Sequence, residues 1–431
     1  MEKLVNGLQK LLAPVANAFS RNKVIQAISR GFTSILPVLI VGSIFSLFSG
    51  LNIGGYQEFI SNNGLYDILM IGLNLTINMI AVYSAFTIAY QMTKLLDPNG
   101  NALAVGILSL VNFLIVTPLA SVVGEDGSTT TYIDMTNLGS KGLIAAILIS
   151  ILTAYIYNFF ILKKITIKMP QGTPPNIGQS FASIIPAFAT VILALIVNVL
   201  FSNTNFGSIH GAIYAILGMP FASLQGSIIT WIVLNLLASL FWFFGIHGGM
   251  VTMPFMMVLF LQPTMENINA FAAGQPLPNA ITFGIIGILM LGGVGSTLSL
   301  VILMAFSSKS SRFKTLGRLA LVPGMFGINE PIVFGMPLVL NPIMFTPFLL
   351  VPQLNIILLY WAMTSGLVGY PRMMWAFGTP VFLDGFLQLG VAGIIVQIVL
   401  IFLDMLVYYP FFKIEDSKAY EEEKTVSVPS K

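Results

Sequence analysis

Two short stretches hold the residues best suited to chemistry. Residues 324–342 read GMFGINEPIVFGMPLVLNP, and residues 241–250 read FWFFGIHGGM. In the first, Glu330 is a lone acid among Met, Phe, Ile, Val and Leu. A carboxylate within a membrane segment is costly, and its default role is functional. Pro331 disfavours helical backbone in the residue before it, so Glu330 sits where a helix stops or has not begun. Asn329 and the freed backbone groups then become available to a ligand. Glu330 could accept a proton from a bound hydroxyl or hold hydroxyls by charge-assisted hydrogen bonds. A second reading buries the carboxylate against a base to brace the turn. No Lys or Arg lies between Arg318 and Arg372 to serve as that base.

His247 follows Phe241, Trp242, Phe243 and Phe244 and precedes Gly248 and Gly249. The glycines let backbone approach a ligand closely. Trp242 and its neighbours offer flat apolar faces that suit the C–H face of a sugar ring. A neutral imidazole both donates and accepts, as hydroxyls require. Alternatively His247 caps its own turn. Trp375, in YPRMMWAFGTP, has two readings, stacking on a sugar or lying in an interfacial aromatic belt. Arg372 beside it lines the mouth of a pathway or is an exposed loop arginine, and Lys141 has the same two readings. Asp404 is expected to be solvated near the end of the last span. His210 reads as structural, and the 21 methionines read as packing or lipid contact.

The absences narrow the chemistry. There are no cysteines and only two histidines. That excludes disulfides, thiolate metal sites, a cysteine nucleophile, a phosphocysteine and a multi-histidine metal site. No metal or cofactor is expected. No G-x-x-x-x-G-K-[ST] pattern is present, so this chain does not use ATP through a P-loop. No arginine-rich helix suggests a voltage sensor, and nothing suggests nucleic-acid binding.

These residues must be held by membrane helices. The 431-residue chain is 56% hydrophobic and 8% charged, whereas soluble domains carry about a quarter charged residues. Charge-free stretches of about 20 residues mark spans near 31–57, 68–93, 101–120, 142–162, 180–202, 225–244, 249–263, 282–306, 345–366 and 388–410. The fold class is an all-α polytopic membrane protein with about ten transmembrane helices. With both termini cytoplasmic, every Lys and Arg except Lys141 and Arg372 falls on the cytoplasmic side, as the positive-inside rule asks. The outside loops carry Glu58, Asp67, Glu125, Asp126, Asp134 and Glu266. Residues 1–30 read as an amphipathic lead-in, too polar for a cleavable signal. The tail KIEDSKAYEEEK reads as a solvated end.

Two stretches are too interrupted to cross. They read as re-entrant hairpins near 241–263 and 320–343, because irregular backbone at membrane depth needs protein or a watery cavity around it. The organisation is then a regular membrane half at 1–205, an amphipathic connector at 206–224, a half bearing the hairpins at 225–412 and a tail at 413–431. A transport site built on broken helices is the reading that remains.

At this point the residues resemble a known family. GINEPIVFGMPLVLNP (327–342) resembles the G-x-N-E-P signature of enzyme IIC, the membrane subunit of the sugar phosphotransferase system, in its lactose, cellobiose and diacetylchitobiose group. NKVIQAISRGFTSILPVLIVGSIF (22–45), MPQGTPPNIGQSFASIIP (169–186) and FWFFGIHGG (241–249) are similar to other segments of that group, in order. The resemblance runs from about residue 20 to 410. It implies a bacterial plasma-membrane permease that binds a β-linked disaccharide, such as cellobiose or diacetylchitobiose. It implies phosphorylation by a separate IIB subunit, with IIA upstream. It also implies a homodimer whose N-terminal half dimerises and whose C-terminal half binds substrate. The family's hairpin histidine falls on His247 and its signature glutamate on Glu330. The alternative is a proton-coupled secondary sugar transporter with Glu330 as proton carrier. A third reading, a membrane scaffold, gains nothing from two broken segments.

Overall fold

The computed structural model describes residues 21–427, apart from 52, 125, 171, 214, 217–222 and 337. The expected lead-in at 1–20, Glu125, Lys431 and most of the connector's second half lie outside the described residues. Almost all regular structure is helical, and six of the described helices are long and apolar enough to cross a membrane. The chain divides into two compact units, one formed by 21–225 with 257–265 and one by 226–256 with 266–427.

In the first unit, α1 (Lys23–Gly50) starts where the Asn22 side chain accepts from the N–H groups of Val24 and Ile25. A short α2 (Tyr56–Asn62) leads to α3 (Leu65–Thr76), and one 3₁₀ turn links it to α4 (Ile80–Leu96). Next come α5 (Ala102–Val116), α6 (Leu143–Leu162), α7 (Pro175–Ala182), α8 (Ile184–Ser202) and the short α9 (Ile209–Ile213). Lipid is as apolar as leucine, so membrane helices associate through small residues and buried polar bonds. Gly31 of α1 meets Ile88 of α4 so closely that a Cβ would lie 2.6 Å from its side chain. Ser109 donates to the Ala85 carbonyl at 2.7 Å, and Asn158 donates to the Thr93 hydroxyl at 3.2 Å. The sequence reading missed one element, an antiparallel hairpin of β1 (Leu119–Val123) and β2 (Thr129–Ile133). Its β-branched run, TTTYI, was the available signal.

The second unit holds α10 (Ile228–Phe243), α11 (Gly248–Ala272, except 257–265, which belong to the first unit), α12 (Ile285–Leu289), α13 (Leu298–Ser307) and α14 (Ser311–Met325). It continues with α15 (Glu330–Gly335), α16 (Pro342–Thr364), α17 (Leu383–Leu389) and α18 (Val391–Ser427). The expected single span at 282–306 is instead two short helices separated at 290–297. In the tail α18 continues, exposed at Ser417, Lys418, Glu421, Glu422 and Lys424 but buried at Asp416 and Ala419. Asp416, fully buried, accepts from Ser308 Oγ and from the backbone N–H groups of Lys309 and Ser310. Glu423 accepts from Ser310 Oγ at 2.6 Å and from the N–H groups of Ser311 and Arg312 at 2.9 Å. Ser310 caps α14 locally by accepting from the Phe313 N–H, Glu423 takes the N–H groups of Ser311 and Arg312, and Asp416 fixes the two residues that lead into the helix.

Candidate functional site

The first broken segment is built by glycine. Helix α10 ends at Phe243. Gly245, at φ 77°, then donates to the Trp242 carbonyl while Ile246 donates to Phe241, which closes the helix end. The chain turns through exposed His247 into α11. Gly248 is required there, since a Cβ would lie 1.9 Å from the Ala238 carbonyl oxygen. Its small size therefore serves the return of α11 against α10. The His247 ring lies 4.7 Å from that of Trp242, at an interplanar angle of 47°. Trp242 is buried, and its indole N–H has no partner among the described residues.

The second segment breaks where α14 ends. Gly327, at φ 77°, reverses the chain, and Ile328 donates back to the Pro323 carbonyl. Glu330 opens the short α15, with Pro331 at a first-turn position where its missing N–H costs nothing. Asn329 is buried and donates its amide to the Val294 carbonyl at 2.8 Å. The Glu330 side chain is exposed.

The two segments meet. Leu340, beyond α15, donates its N–H to the Phe243 carbonyl at 3.0 Å. Phe243 also packs edge-on against Phe345, with ring centroids 4.7 Å apart.

A third break, at 290–297, went unnoticed in the sequence. Gly292, Gly293 and Gly295 all have positive φ, as does Ser296 at 53°. The signal was GGVGS, an unusual density of glycine inside an apolar run. Gly293 packs under Asn329, where a Cβ would lie 2.8 Å from its side chain. This turn and the start of α11 line a cavity, with Gly249, Asn235, Thr252, Gly293, Val294 and Ser296 among its walls. Of the residues singled out earlier, Gly249 lines it directly. His247 stands two residues before Gly249, and Asn329 is bonded to lining residue Val294.

Trp375 and Arg372 lie on the loop between α16 and α17, in which the Val381 N–H donates to the Met325 carbonyl at the end of α14 at 2.8 Å. Trp375 is buried between Phe283 and Phe377 and bonds the Asp384 carboxylate. Arg372 donates to the carbonyls of Leu387 and Phe386 at the end of α17, with its guanidinium 5.2 Å from the Phe271 ring centroid. Two acids were misjudged or missed. Asp404 is not solvated. It is 2% exposed and accepts from the Asn355 amide at 3.0 Å. Asp384 is buried against Gly287, a position where a Cβ would fall 2.0 Å from its carboxylate. Among the described residues no cluster of three metal-ligating side chains occurs.

Membrane-length apolar helices, with a glycine-built cavity in the second unit, define an integral-membrane permease. The family model described as "Phosphotransferase system, EIIC" matches residues 29–352, and the chain belongs to that family. It is 35% identical to the PTS system cellobiose-specific EIIC component of Geobacillus stearothermophilus, covering 100% of this chain and 98% of that protein. It is 33% identical to the PTS system lactose-specific EIICB component of Staphylococcus aureus (strain COL), covering 98% of this chain and 74% of that one. The crystal structure of ChbC, the IIC component of the N,N'-diacetylchitobiose-specific phosphotransferase system, matches with a TM-score of 0.91 at 36% identity. That match covers 97% of this chain and 99% of ChbC. The family resemblance read from GINEP and FWFFGIHGG is thereby borne out, and the proton-coupled alternative is not favoured.

Proposed function

We propose that this EIIC subunit binds a β-linked disaccharide of the cellobiose or diacetylchitobiose type beside its broken segments and presents it to a phosphorylated IIB partner. The observation that carries this reading is the join of the two interrupted segments at Phe243 and Leu340, next to the Trp242–His247 ring pair. An aromatic face beside a donor–acceptor imidazole suits a ring that is apolar on one side and hydroxylated at its edge. Glu330 would then take the hydroxyl proton as phosphorus is attacked, or fix the hydroxyl in line. In phosphoryl transfer positioning supplies much of the catalysis, so the two roles overlap. Asn329, Gly248 and Gly249 would shape the backbone around the sugar, and Trp375 and Arg372 would bind it from the loop between α16 and α17.

The wider arrangement is part of the same reading. The two broken segments are re-entrant, residues 1–205 dimerise, 225–412 carry substrate, and both termini face the cytoplasm of a bacterial cell. Thermal stabilisation of the purified protein tests the substrate class. Cellobiose, diacetylchitobiose or lactose should raise the melting temperature, whereas maltose should not. Stabilisation by none of the three overturns the assignment. Uptake into vesicles should need phosphorylated IIB and yield sugar phosphate. Accumulation of free sugar driven by a proton gradient alone would contradict it.

A further inference from the structure

The turn at 290–297 is irregular backbone inside an apolar unit, so its polar groups need internal partners. Its carbonyls find them. Thr297 Oγ1 donates to Gly292 at 2.6 Å, the Ser296 N–H to Gly293 at 3.0 Å, Asn329 to Val294 at 2.8 Å and the Tyr408 hydroxyl to Gly295 at 2.6 Å. Ser296 is the strained member, because its φ of 53° lies in the left-handed region that favours glycine. Such a conformation persists only where its surroundings over-determine it. Ser296 Oγ donates to the Leu289 carbonyl and accepts from Asn355 Nδ2, both at 3.3 Å. The same Asn355 amide donates to Asp404 Oδ2 at 3.0 Å. Asp404 precedes Tyr408 by four residues, so one face of α18 reaches the turn twice.

We infer that Asp404 is a positioning residue for the sugar site, acting through Asn355 and Ser296 to hold the glycine turn that lines the cavity and carries Asn329. Asp404 touches neither the cavity nor Glu330. Its carboxylate fixes the rotation of the Asn355 amide, and that amide fixes Ser296. Asn355 Oδ1 is buried with no partner among the described residues. An asparagine at 404 can therefore keep the acceptor for Asn355 Nδ2 and give its own amide hydrogen to Oδ1. A leucine can do neither.

The inference rests on the sugar-binding reading, and the controls separate the two. Calorimetric titration uses whichever of cellobiose, diacetylchitobiose and lactose most stabilises the wild-type protein. No binding by wild type defeats the function, whatever the variants do. Given wild-type binding, Asp404→Leu and Ser296→Ala should each weaken affinity about five- to tenfold, and Asp404→Asn should stay within about threefold. The double variant should be no weaker than about tenfold, since groups acting through one chain of contacts are not additive. A purely structural Asp404 would lower the melting temperature and leave the affinity of folded protein unchanged. That outcome, or multiplied penalties in the double variant, overturns the inference. If Asp404→Leu yields no monodisperse protein, Ser296→Ala with wild-type affinity overturns it alone.

Discussion

The N–H of Leu340 and the carbonyl of Phe243 are joined at 3.0 Å, although they are nearly a hundred residues apart, Phe243 ending α10 and Leu340 lying between α15 and α16. This bond, with the edge-on Phe243–Phe345 contact, makes the His247 turn and the Glu330 turn parts of one packed region. A change in one should therefore be felt at the other.

His247→Ala removes the ring beside Trp242. Sugar affinity should fall about tenfold, the value of one or two lost contacts of this kind. The melting temperature without sugar should change little. Unaltered affinity in a direct titration would remove His247 from the site.

Glu330→Gln keeps size and hydrogen bonding but cannot take a proton. As a general base, Glu330 should contribute about 100-fold or more to phosphoryl transfer. Sugar affinity should then fall less than tenfold. Equal losses in transfer from phosphorylated IIB and in binding would leave Glu330 only a holding role.

Much of this region was legible in the sequence, and the reasons are physical. An acid flanked by Asn and Pro, and a histidine flanked by aromatics and glycines, violate the rules of both spans and loops. The break at 290–297 was not legible because glycine alone violates neither rule. It is apolar enough to continue a span, and only the positive φ values reveal the turn. Asp404 was misjudged because a charge's place along a helix gives depth but not which face meets a neighbour. Two acids of the tail, Asp416 and Glu423, were misjudged for a related reason. They look solvated until the N–H groups at 309–312, about a hundred residues earlier, are set against them.

His210 gives a pH dependence. It lies outside the membrane-length helices, buried with its ring 5.6 Å from that of Phe113. Burial pushes it down to about 4, against about 6.5 in an unfolded chain. The unfolded state therefore binds the proton first, and stability falls as pH drops from about 6.5 towards 4. At pH 5 the loss is about 2 kcal/mol. Melting temperatures at pH 7.5 and pH 5 should differ more for wild type than for His210→Gln. Equal differences would show that His210 is not the titrating group.

Gly248→Ala tests the closure of α10 on α11. The added methyl would meet the Ala238 carbonyl oxygen at 1.9 Å. Overpacking of this kind costs about 1–3 kcal/mol. The variant should melt at lower temperature and bind sugar more weakly, because His247 and Gly249 move with the turn. Wild-type melting would mean that α11 can shift freely at its start.

The last helix has a mechanical consequence. Asp416 and Glu423 grip the backbone at 309–312, and α14 runs from there to the turn that presents Glu330. The two carboxylates tether one end of α14 to the carboxyl-terminal helix at four backbone N–H groups, and the other end of the same helix carries the Asn329–Glu330 turn.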